Sequence, residues 1–332
     1  TAGTAEALRL LSLAEVDRLA SEQAAALGSA EDAQVLLEKA LGSADRARTL
    51  LEATLGSEHL SVASALNNLA NIRYHLGDHD EARALYERAL AIRIDVLGAG
   101  HPDVAATLNN LAWIDYAAGD YEKVRELHER ALAIFEAALG PEHPTVSVSL
   151  VNLAGAYKRT GSLEQARGLY ERAHAIAERT HGADHPTTLE ILEKLADVHG
   201  SLGRLVEARA IHARVLAARE AKLGADHLEV ANSLAYLGRV AFAADDPAAA
   251  LGYYERAVAI FAANEGVEDR EPEAQSELAR ALLATGGDPV RARALAEEAR
   301  HGIRQQGPGE ELALRELEAW MAENLGALAQ DP

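Results

Sequence analysis

Apolar residues recur at spacings of three and four along the segment Val62 to Gly98, in two runs separated by Gly77. The first run is Val62, Leu66, Leu69, Ile72 and Leu76, and the second is Ala82, Leu85, Tyr86, Ala89, Leu90 and Ile92. Such spacing places apolar side chains on one face of a helix. Glycine readily adopts the left-handed conformation that ends many helices, and Asp78 or Asp80 is expected to cap the next one. The pattern therefore predicts two antiparallel helices, called here the first and second helix of a unit.

The same unit recurs every 42 residues, as two sets of turn residues show. Five histidines keep this spacing, His59, His101, His143, His185 and His227, and so do four glycines, Gly77, Gly119, Gly161 and Gly203. A fixed period without insertions indicates one supersecondary unit stacked on copies of itself. The chain is also rich in alanine, leucine, glutamate and arginine and only 4% aromatic, which suits closely packed helices. We therefore expect an all-α fold of about fourteen helices.

The residues within one unit resemble a known repeat signature. The order Leu69-Ala70, Gly77, Ala82, Tyr86 and Ala89 resembles the tetratricopeptide repeat, and the 42-residue unit with an LNNLA string and an LGxxHP turn resembles its kinesin-light-chain subtype. The resemblance covers five full units, from Glu58 to about Gly266. It implies a right-handed α-solenoid, a superhelix of antiparallel helix pairs, with the first helices lining a concave surface.

The two ends of the chain depart from this pattern, as the terminal units of solenoids usually do. We expect an N-terminal helical cap with a degenerate repeat at 1–56, five full units at 57–266, and a degenerate sixth repeat with a capping helix at 267–332. Gly42 and Gly56 lie 14 residues apart, which predicts a second helix about two turns short in the first repeat. Asp269 stands where the next turn histidine is due, and Glu310 to Leu328 is predicted to form a last amphipathic helix.

Composition narrows the possible partners and the cellular location. Asp and Glu number 52 against 32 Lys and Arg, a formal net charge of −20 that would repel nucleic acid and anionic bilayers. We expect neither as a partner. The absence of cysteine excludes disulfides and thiolate chemistry, and no apolar run of membrane-spanning length or signal peptide is present, so the expected location is cytoplasmic. The first residue is Thr1, and whether the chain is part of a longer polypeptide stays open.

The sequence offers no pattern for a metal site, a cofactor site or catalysis. Successive turn histidines lie one repeat apart, roughly 10 Å if stacked helices set the spacing, whereas zinc ligands lie about 2.0–2.3 Å from one ion. The pairs His75/His79 and His181/His185 each straddle a helix end. We therefore expect a structural role for the histidines in their turns, no metal, no cofactor and no enzymatic activity.

Polar and aromatic residues follow the first helices on the side opposite the apolar stripe, beginning with Asn67, Asn71 and Tyr74 at spacings i, i+4 and i+7. By the resemblance these positions line the concave surface. A carboxamide both donates and accepts hydrogen bonds, so it can satisfy the backbone of an extended peptide. The predicted peptide-binding residues, called here the first-helix strip, are Asn67, Asn68, Asn71, Tyr74, Asn109, Asn110, Trp113, Tyr116, Asn152, Lys158 and Arg159.

Individual residues of the strip have distinct expected roles. Trp113 between tyrosines is a candidate aromatic anchor, and Lys158 and Arg159 are candidates to meet an acidic group or a C-terminal carboxylate. Two alternatives stay open: the asparagines bond a neighbouring helix of the same chain, or Trp113 is packed between helices. Because Glu193 and Asp197 replace the asparagines in the fourth unit, the strip is expected to span the first three units only.

Two functions are compatible with these features. The first is a scaffold that binds a protein or peptide partner in its concave groove. The second is the regulatory or substrate-recruiting region of a larger bacterial signalling enzyme, because Ala292 to Leu325 resembles the C-terminal regions of some bacterial serine/threonine kinases. The chain is expected to be a monomer or a weak homo-oligomer, since its amphipathic terminal helices suit caps as well as interfaces.

Overall fold

The computed structural model describes residues 2–26, 30–264, 271–305 and 311–326, and all regular structure in these ranges is helical. They contain fifteen α-helices, one more than expected, and no strand. By its contacts the chain forms two compact units, Thr1–Thr180 (unit 1) and His181–Pro332 (unit 2). The predicted all-α solenoid of antiparallel helix pairs is confirmed.

The helices follow one another in pairs within each unit. Those that begin in unit 1 are α1 Ala2–Ala26, α2 Ala30–Leu55, α3 Leu60–His75, α4 His79–Leu97, α5 Pro102–Ala117, α6 Tyr121–Leu139, α7 Pro144–Arg159 and α8 Leu163–His181. Those of unit 2 are α9 Pro186–Ser201, α10 Leu205–Leu223, α11 Leu228–Ala243, α12 Pro247–Ala262, α13 Glu271–Ala284, α14 Pro289–Gln305 and α15 Glu311–Leu325. The odd-numbered helices from α3 to α11 are the first helices of the five full units.

The turn histidines cap the first helices, which confirms their predicted structural role. In each full unit the imidazole Nδ1 accepts a hydrogen bond from the backbone N–H two residues further on, at 3.1 to 3.3 Å. This contact satisfies one of the N–H groups that the first turn of a helix leaves without an intrahelical partner. The 42-residue spacing of the histidines is thus the spacing of helix starts.

The turn between the two helices of a unit follows the prediction in its glycine but not in its aspartate. Gly77 has φ +84°, the left-handed conformation expected at this helix end. Asp78 precedes α4 but makes no capping hydrogen bond, and its carboxylate instead accepts from Arg73 at 2.8 Å. The equivalent Asp120 does cap α6, accepting from the backbone N–H of Lys123 at 3.3 Å. Asp78 is thus paired with Arg73, whereas the second unit has Asp115 at the position of Arg73.

The predicted short helix in the first repeat is wrong. Helix α2 runs for 26 residues from Ala30 to Leu55, and Gly42 lies inside it. Ala40 and Ala44 on either side of Gly42 are fully buried and pack with Ala14 of α1. Packing along the whole length of α1 and α2 outweighs the roughly 1 kcal/mol that one interior glycine costs a helix.

At the other end, the predicted last amphipathic helix is confirmed as α15, Glu311–Leu325. Glu310, Leu328 and Asp269 lie outside the described residues. The division of the chain into a cap, five full units and a degenerate C-terminal repeat stays a proposal.

Alanine at recurring positions sets the distance between helices, and this leads to a first prediction. Ala154 on α7 is fully buried. Ala154→Leu should lower the free energy of unfolding by about 1–3 kcal/mol, because a close-packed interior has no room for the larger side chain. Urea denaturation followed by circular dichroism measures the effect. Glu87→Gln on the exposed face of α4 is the control, with an expected change within about 0.5 kcal/mol; equal effects would contradict this assignment of helix faces.

Candidate peptide-binding site

The first-helix strip lies on α3, α5 and α7, all within unit 1, and side-chain contacts join these helices. Asn110 of α5 donates to the side-chain oxygen of Asn67 on α3 at 3.0 Å. Arg159 at the end of α7 donates from Nε and Nη2 to the Tyr116 hydroxyl of α5, at 3.0 and 2.8 Å. The predicted residues of three successive units are therefore in contact across the helices.

Most of the asparagines in the strip already have partners within the chain. Besides the Asn110–Asn67 bond, the Tyr86 hydroxyl donates to Asn71 Oδ1. Asn109 Oδ1 lies 2.8 Å from Nδ1 of His128 on the second helix of its own unit. These contacts correspond to the alternative in which the asparagines join helices, and they occupy one side-chain oxygen or amide of each residue.

The protonation of His128 follows from its surroundings. Its side chain is buried, and burial lowers its pKa to about 4. The ring is therefore neutral at pH 7, and because Asn109 Oδ1 is an acceptor, His128 Nδ1 must carry the proton. This bond holds the side-chain amide of Asn109 in one orientation.

Two asparagines differ from the rest. Asn68 and Asn152 are half-buried, and within the described part of the chain their side chains make no hydrogen bond. Their amides can therefore bond to a ligand without breaking an existing contact. Tyr74, also half-buried, packs instead against the rings of His75 and His79, with centroids 5.6 and 5.2 Å away.

Trp113 is the most accessible aromatic residue of the strip. Its side chain is 44% exposed, so it is not enclosed between helices. Its ring meets Tyr116 edge-on at 5.7 Å between centroids, and Tyr116 meets Tyr121 in the same way at 5.3 Å. These contacts hold a broad apolar surface in one orientation.

The two basic residues of the strip are placed differently from each other. The guanidinium carbon of the exposed Arg159 lies 5.6 Å from the centroid of the Tyr116 ring and 5.8 Å from that of Tyr121. Its hydrogen bonds to Tyr116 raise the pKa of Arg159 further. Arg159 can thus pair with an acidic ligand from its position on the aromatic cluster. Lys158 is half-buried beside it.

In the fourth unit Glu193, at the register of Asn67, belongs to a buried ion pair that sequence reasoning missed. The two terminal guanidinium nitrogens of Arg219 on α10, Nη1 and Nη2, donate to the carboxylate of Glu193 at 2.5 and 2.8 Å. Arg219 also donates to Ser233 Oγ at 2.7 Å. Arg93 lies three repeats before Arg219, and it contacts Thr107, which lies three repeats before Ser233. The recurrence of arginine at this register is the sequence signal that could have indicated a buried arginine in the fourth unit. Glu193 holds helices together.

The fifth unit contains a cleft that the predicted strip did not reach. The cleft has a volume of about 290 Å³ and lies among α11, α12 and α13 of unit 2. Tyr236 and Arg239 line it at the register of Asn110 and Trp113. Extending the register from the third unit through to the fifth would have found these residues. The others that line the cleft are Asn232, Ala235, Tyr254, Phe261, Glu273, Ala274 and Glu277.

Other features considered in the sequence have ordinary structural contacts. His75 Nε2 lies 3.4 Å from a Glu22 carboxylate oxygen, and the rings of His181 and His185 stack at 4.8 Å. Among the residues that the structure describes, no three His, Asp or Glu side chains are grouped as metal ligands would be. Each described helix is too short or too polar to span a lipid bilayer.

Known structures share this architecture. BtubC (BKLC) from P. vanneervenii is 28% identical with a TM-score of 0.60, and the match covers 68% of this chain and 91% of that one. A putative kinesin light chain from Podospora anserina with nearly identical repeats is 29% identical with a TM-score of 0.54, over 62% of this chain and 98% of that one. A tetratricopeptide repeat protein from Parabacteroides merdae, at 17% identity and a TM-score of 0.58 over 92% and 97% of the two chains, shares the fold.

A comparison with curated protein sequences gives no match. The family model for the tetratricopeptide repeat, in contrast, matches five overlapping segments, residues 22–95, 61–137, 117–178, 145–221 and 188–263. These segments cover most of the chain and together extend over helices α2 to α12. Structures of the kinesin-light-chain type are among its structural neighbours. The chain belongs to the tetratricopeptide repeat family.

Proposed function

We propose that this protein is an interaction module that binds an extended or short helical segment of a partner protein along the first-helix strip of unit 1. The observation that carries the proposal is the exposure of Trp113, 44% of whose surface is open on a firmly packed aromatic cluster. Tryptophan is among the residues most enriched at binding hot spots. Repeats of this kind also offer extended surfaces to partner chains.

The hydrogen bonds within the strip divide its residues by role. Asn67, Asn71, Asn109 and Asn110 join helices and keep the surface in shape. Asn68 and Asn152 supply amides to the backbone of the bound segment, and Trp113 supplies apolar contact. Lys158 and Arg159 favour an acidic group or a C-terminal carboxylate at the α7 end. Binding is therefore largely tolerant of the segment's sequence.

Binding measurements on variants test this proposal, once selection from a displayed peptide library has supplied a ligand. Trp113→Ala and Asn68→Ala should each weaken binding by about 1–3 kcal/mol, because a buried apolar contact or an amide hydrogen bond is lost. Isothermal titration calorimetry measures the affinity, and circular dichroism checks the fold.

Val96→Ala is the matched control, since Val96 is 48% exposed on α4, outside the strip. It should leave the affinity unchanged. Asn110→Ala is less suitable as a test, because it also removes the bond to Asn67. If the Trp113 and Asn68 variants bind as tightly as the parent, or lose affinity only through unfolding, the ligand binds elsewhere on the array.

Two finer assignments stay predictions. A regulatory role within a larger bacterial signalling enzyme is supported by the resemblance of Ala292 to Leu325 alone, and reading the native open reading frame upstream of Thr1 would test it. Weak self-association is supported by apolar side chains exposed on α1, namely Leu8, Leu13, Val16 and Leu19. Light scattering over a range of protein concentrations would detect it.

A further inference from the structure

The cleft among α11, α12 and α13 contains a buried hydroxyl group that has no partner. Tyr254 is 1% exposed, and its Oη makes no hydrogen bond among the described residues. A buried polar group without a hydrogen bond typically costs about 1–3 kcal/mol, so a bond from a water molecule or a ligand to this hydroxyl would be favourable.

The repeat itself shows why this hydroxyl lacks a partner. Tyr86 occupies the same register four repeats earlier, and its hydroxyl donates to Asn71. In the fifth unit the position of Asn71 is taken by Arg239, whose guanidinium has no acceptor atom. Its guanidinium carbon lies 4.6 Å from the centroid of the Tyr236 ring, and a guanidinium nitrogen lies 4.0 Å from Glu273. Arg239 is thus engaged at one side of the cleft.

A glycine allows Tyr254 to lie so deep. A Cβ atom at Gly238 would lie 2.6 Å from the Tyr254 ring, whereas the first helices of the four preceding units carry alanine at this position. Glycine at 238 therefore leaves room that the Tyr254 ring occupies, so this ring lies closer to α11 than an alanine would allow.

A carboxylate with a weak counter-charge completes the site. Glu277 lines the cleft half-buried, and its nearest cation, Arg280, is 3.7 Å away and stacks over the Trp320 ring at 5.2 Å. Burial raises the pKa of Glu277, which means that its charge is poorly compensated. A cation placed beside it would be stabilised.

From this arrangement we propose that the cleft of unit 2 binds one basic side chain, a lysine or an arginine, with its charged group at Glu277 and the Tyr254 hydroxyl. The inference rests on the proposed function, because it takes the bound side chain to come from a partner protein. Tyr254 and Phe261 line the path of its methylene groups. The net charge of −20 on the whole chain favours a cationic partner in the same way.

Size and charge argue against other occupants. A volume of about 290 Å³ suits one side chain and lies at the lower limit for drug-sized ligands, about 300–1,000 Å³. An anion would be repelled by Glu273 and Glu277 and would have to displace Arg239 from Tyr236. An apolar group would leave the Glu277 carboxylate and the Tyr254 hydroxyl dehydrated and without partners.

A single amino-acid probe tests the inference on the full chain. Nα-acetyl-lysine methylamide, titrated into ¹⁵N-labelled protein, should shift amide resonances of α11, α12 and α13 saturably in NMR spectra. Nα-acetyl-norleucine methylamide has the same apolar side chain without the ammonium group and should not. Glu277→Gln should weaken binding of the lysine probe about tenfold or more, because it removes the charge-assisted contact.

Tyr254→Phe keeps the buried ring and removes only the hydroxyl, so it should also weaken the lysine probe while the protein stays folded. Glu255→Gln, exposed on α12, is the matched control and should have no effect. Equal shifts with norleucine, binding of Nα-acetyl-glutamate methylamide instead, or lysine shifts unchanged by Glu277→Gln would each overturn the inference.

The outcomes separate this inference from the proposed function. Peptides that depend on Trp113, together with no saturable binding of the lysine probe at the cleft, would overturn the inference alone. Saturable lysine binding at the cleft, with no peptide that depends on Trp113, would overturn the assignment to unit 1 alone.

Discussion

Replacing Glu193 with alanine should lower the free energy of unfolding by about 3 kcal/mol, near the lower end of what breaking a buried ion pair costs. Arg219 is 8% exposed and is held by two bonds to Glu193. Without Glu193 its guanidinium would keep only Ser233 and the partly exposed Glu229, whose carboxylate is 3.0 Å away. An incompletely compensated charge would then be buried among α9, α10 and α11.

The same helix provides a matched control for this change. Glu190→Ala removes an exposed carboxylate one turn away that pairs with the half-buried Lys194 at 3.2 Å, and it should cost no more than about 0.5 kcal/mol. Chemical denaturation followed by circular dichroism compares the two. Burial raises the pKa of Glu193 while its bonds to Arg219 act against the rise. Glu193→Gln should lie between wild type and Glu193→Ala, because the amide oxygen still accepts a hydrogen bond from Arg219 but carries no charge.

A second variant keeps the test independent of a general loss of packing. Combining Glu193→Ala with Arg219→Leu should restore part of the lost stability, because an apolar residue in place of the buried cation needs no counter-charge. Equal costs for Glu193→Ala and Glu190→Ala would mean that Arg219 is solvated in solution.

Acidification from pH 7 to pH 5 should destabilise the protein by about 2 kcal/mol for each of two buried histidines, His128 and His212. Burial lowers the pKa of His128 to about 4, and burial assisted by Arg239 lowers that of His212 to about 4, both from 6.5. The unfolded chain therefore binds more protons than the folded one between these values. The stabilisation is complete above pH 6.5 and is lost as the pH falls towards 4.

Removing one histidine isolates its share of this pH dependence. His128→Tyr places at this register the residue found in three other units, as Tyr86, Tyr170 and Tyr254. The difference in unfolding free energy between pH 7 and pH 5 should be about 2 kcal/mol smaller in the variant than in the parent. Thermal or urea unfolding at the two pH values measures it. Identical pH dependence in both proteins would show that His128 is accessible to solvent protons.

The sequence by itself determined the repeat and most of its helices. Apolar spacing and the 42-residue period place the helices of the five full units, because both are local properties of the chain. It also located the helix starts through the turn histidines, and the strip residues of α3, α5 and α7 meet as the repeat register predicts. Near Gly42 the local rule failed, because packing against α1 outweighs the preference of one glycine.

Only the tertiary structure decided which polar groups are free to bind. Asn67 and Asn68 are adjacent and of the same type, yet Asn67 accepts a bond from the next unit and Asn68 makes none within the described residues. Glu193 is at a strip position but compensates Arg219, 26 residues away. Tyr254 lacks the acceptor that Asn71 supplies to Tyr86. A hydrogen bond depends on positions to within a few tenths of an ångström, and these are set only when helices distant in sequence pack together.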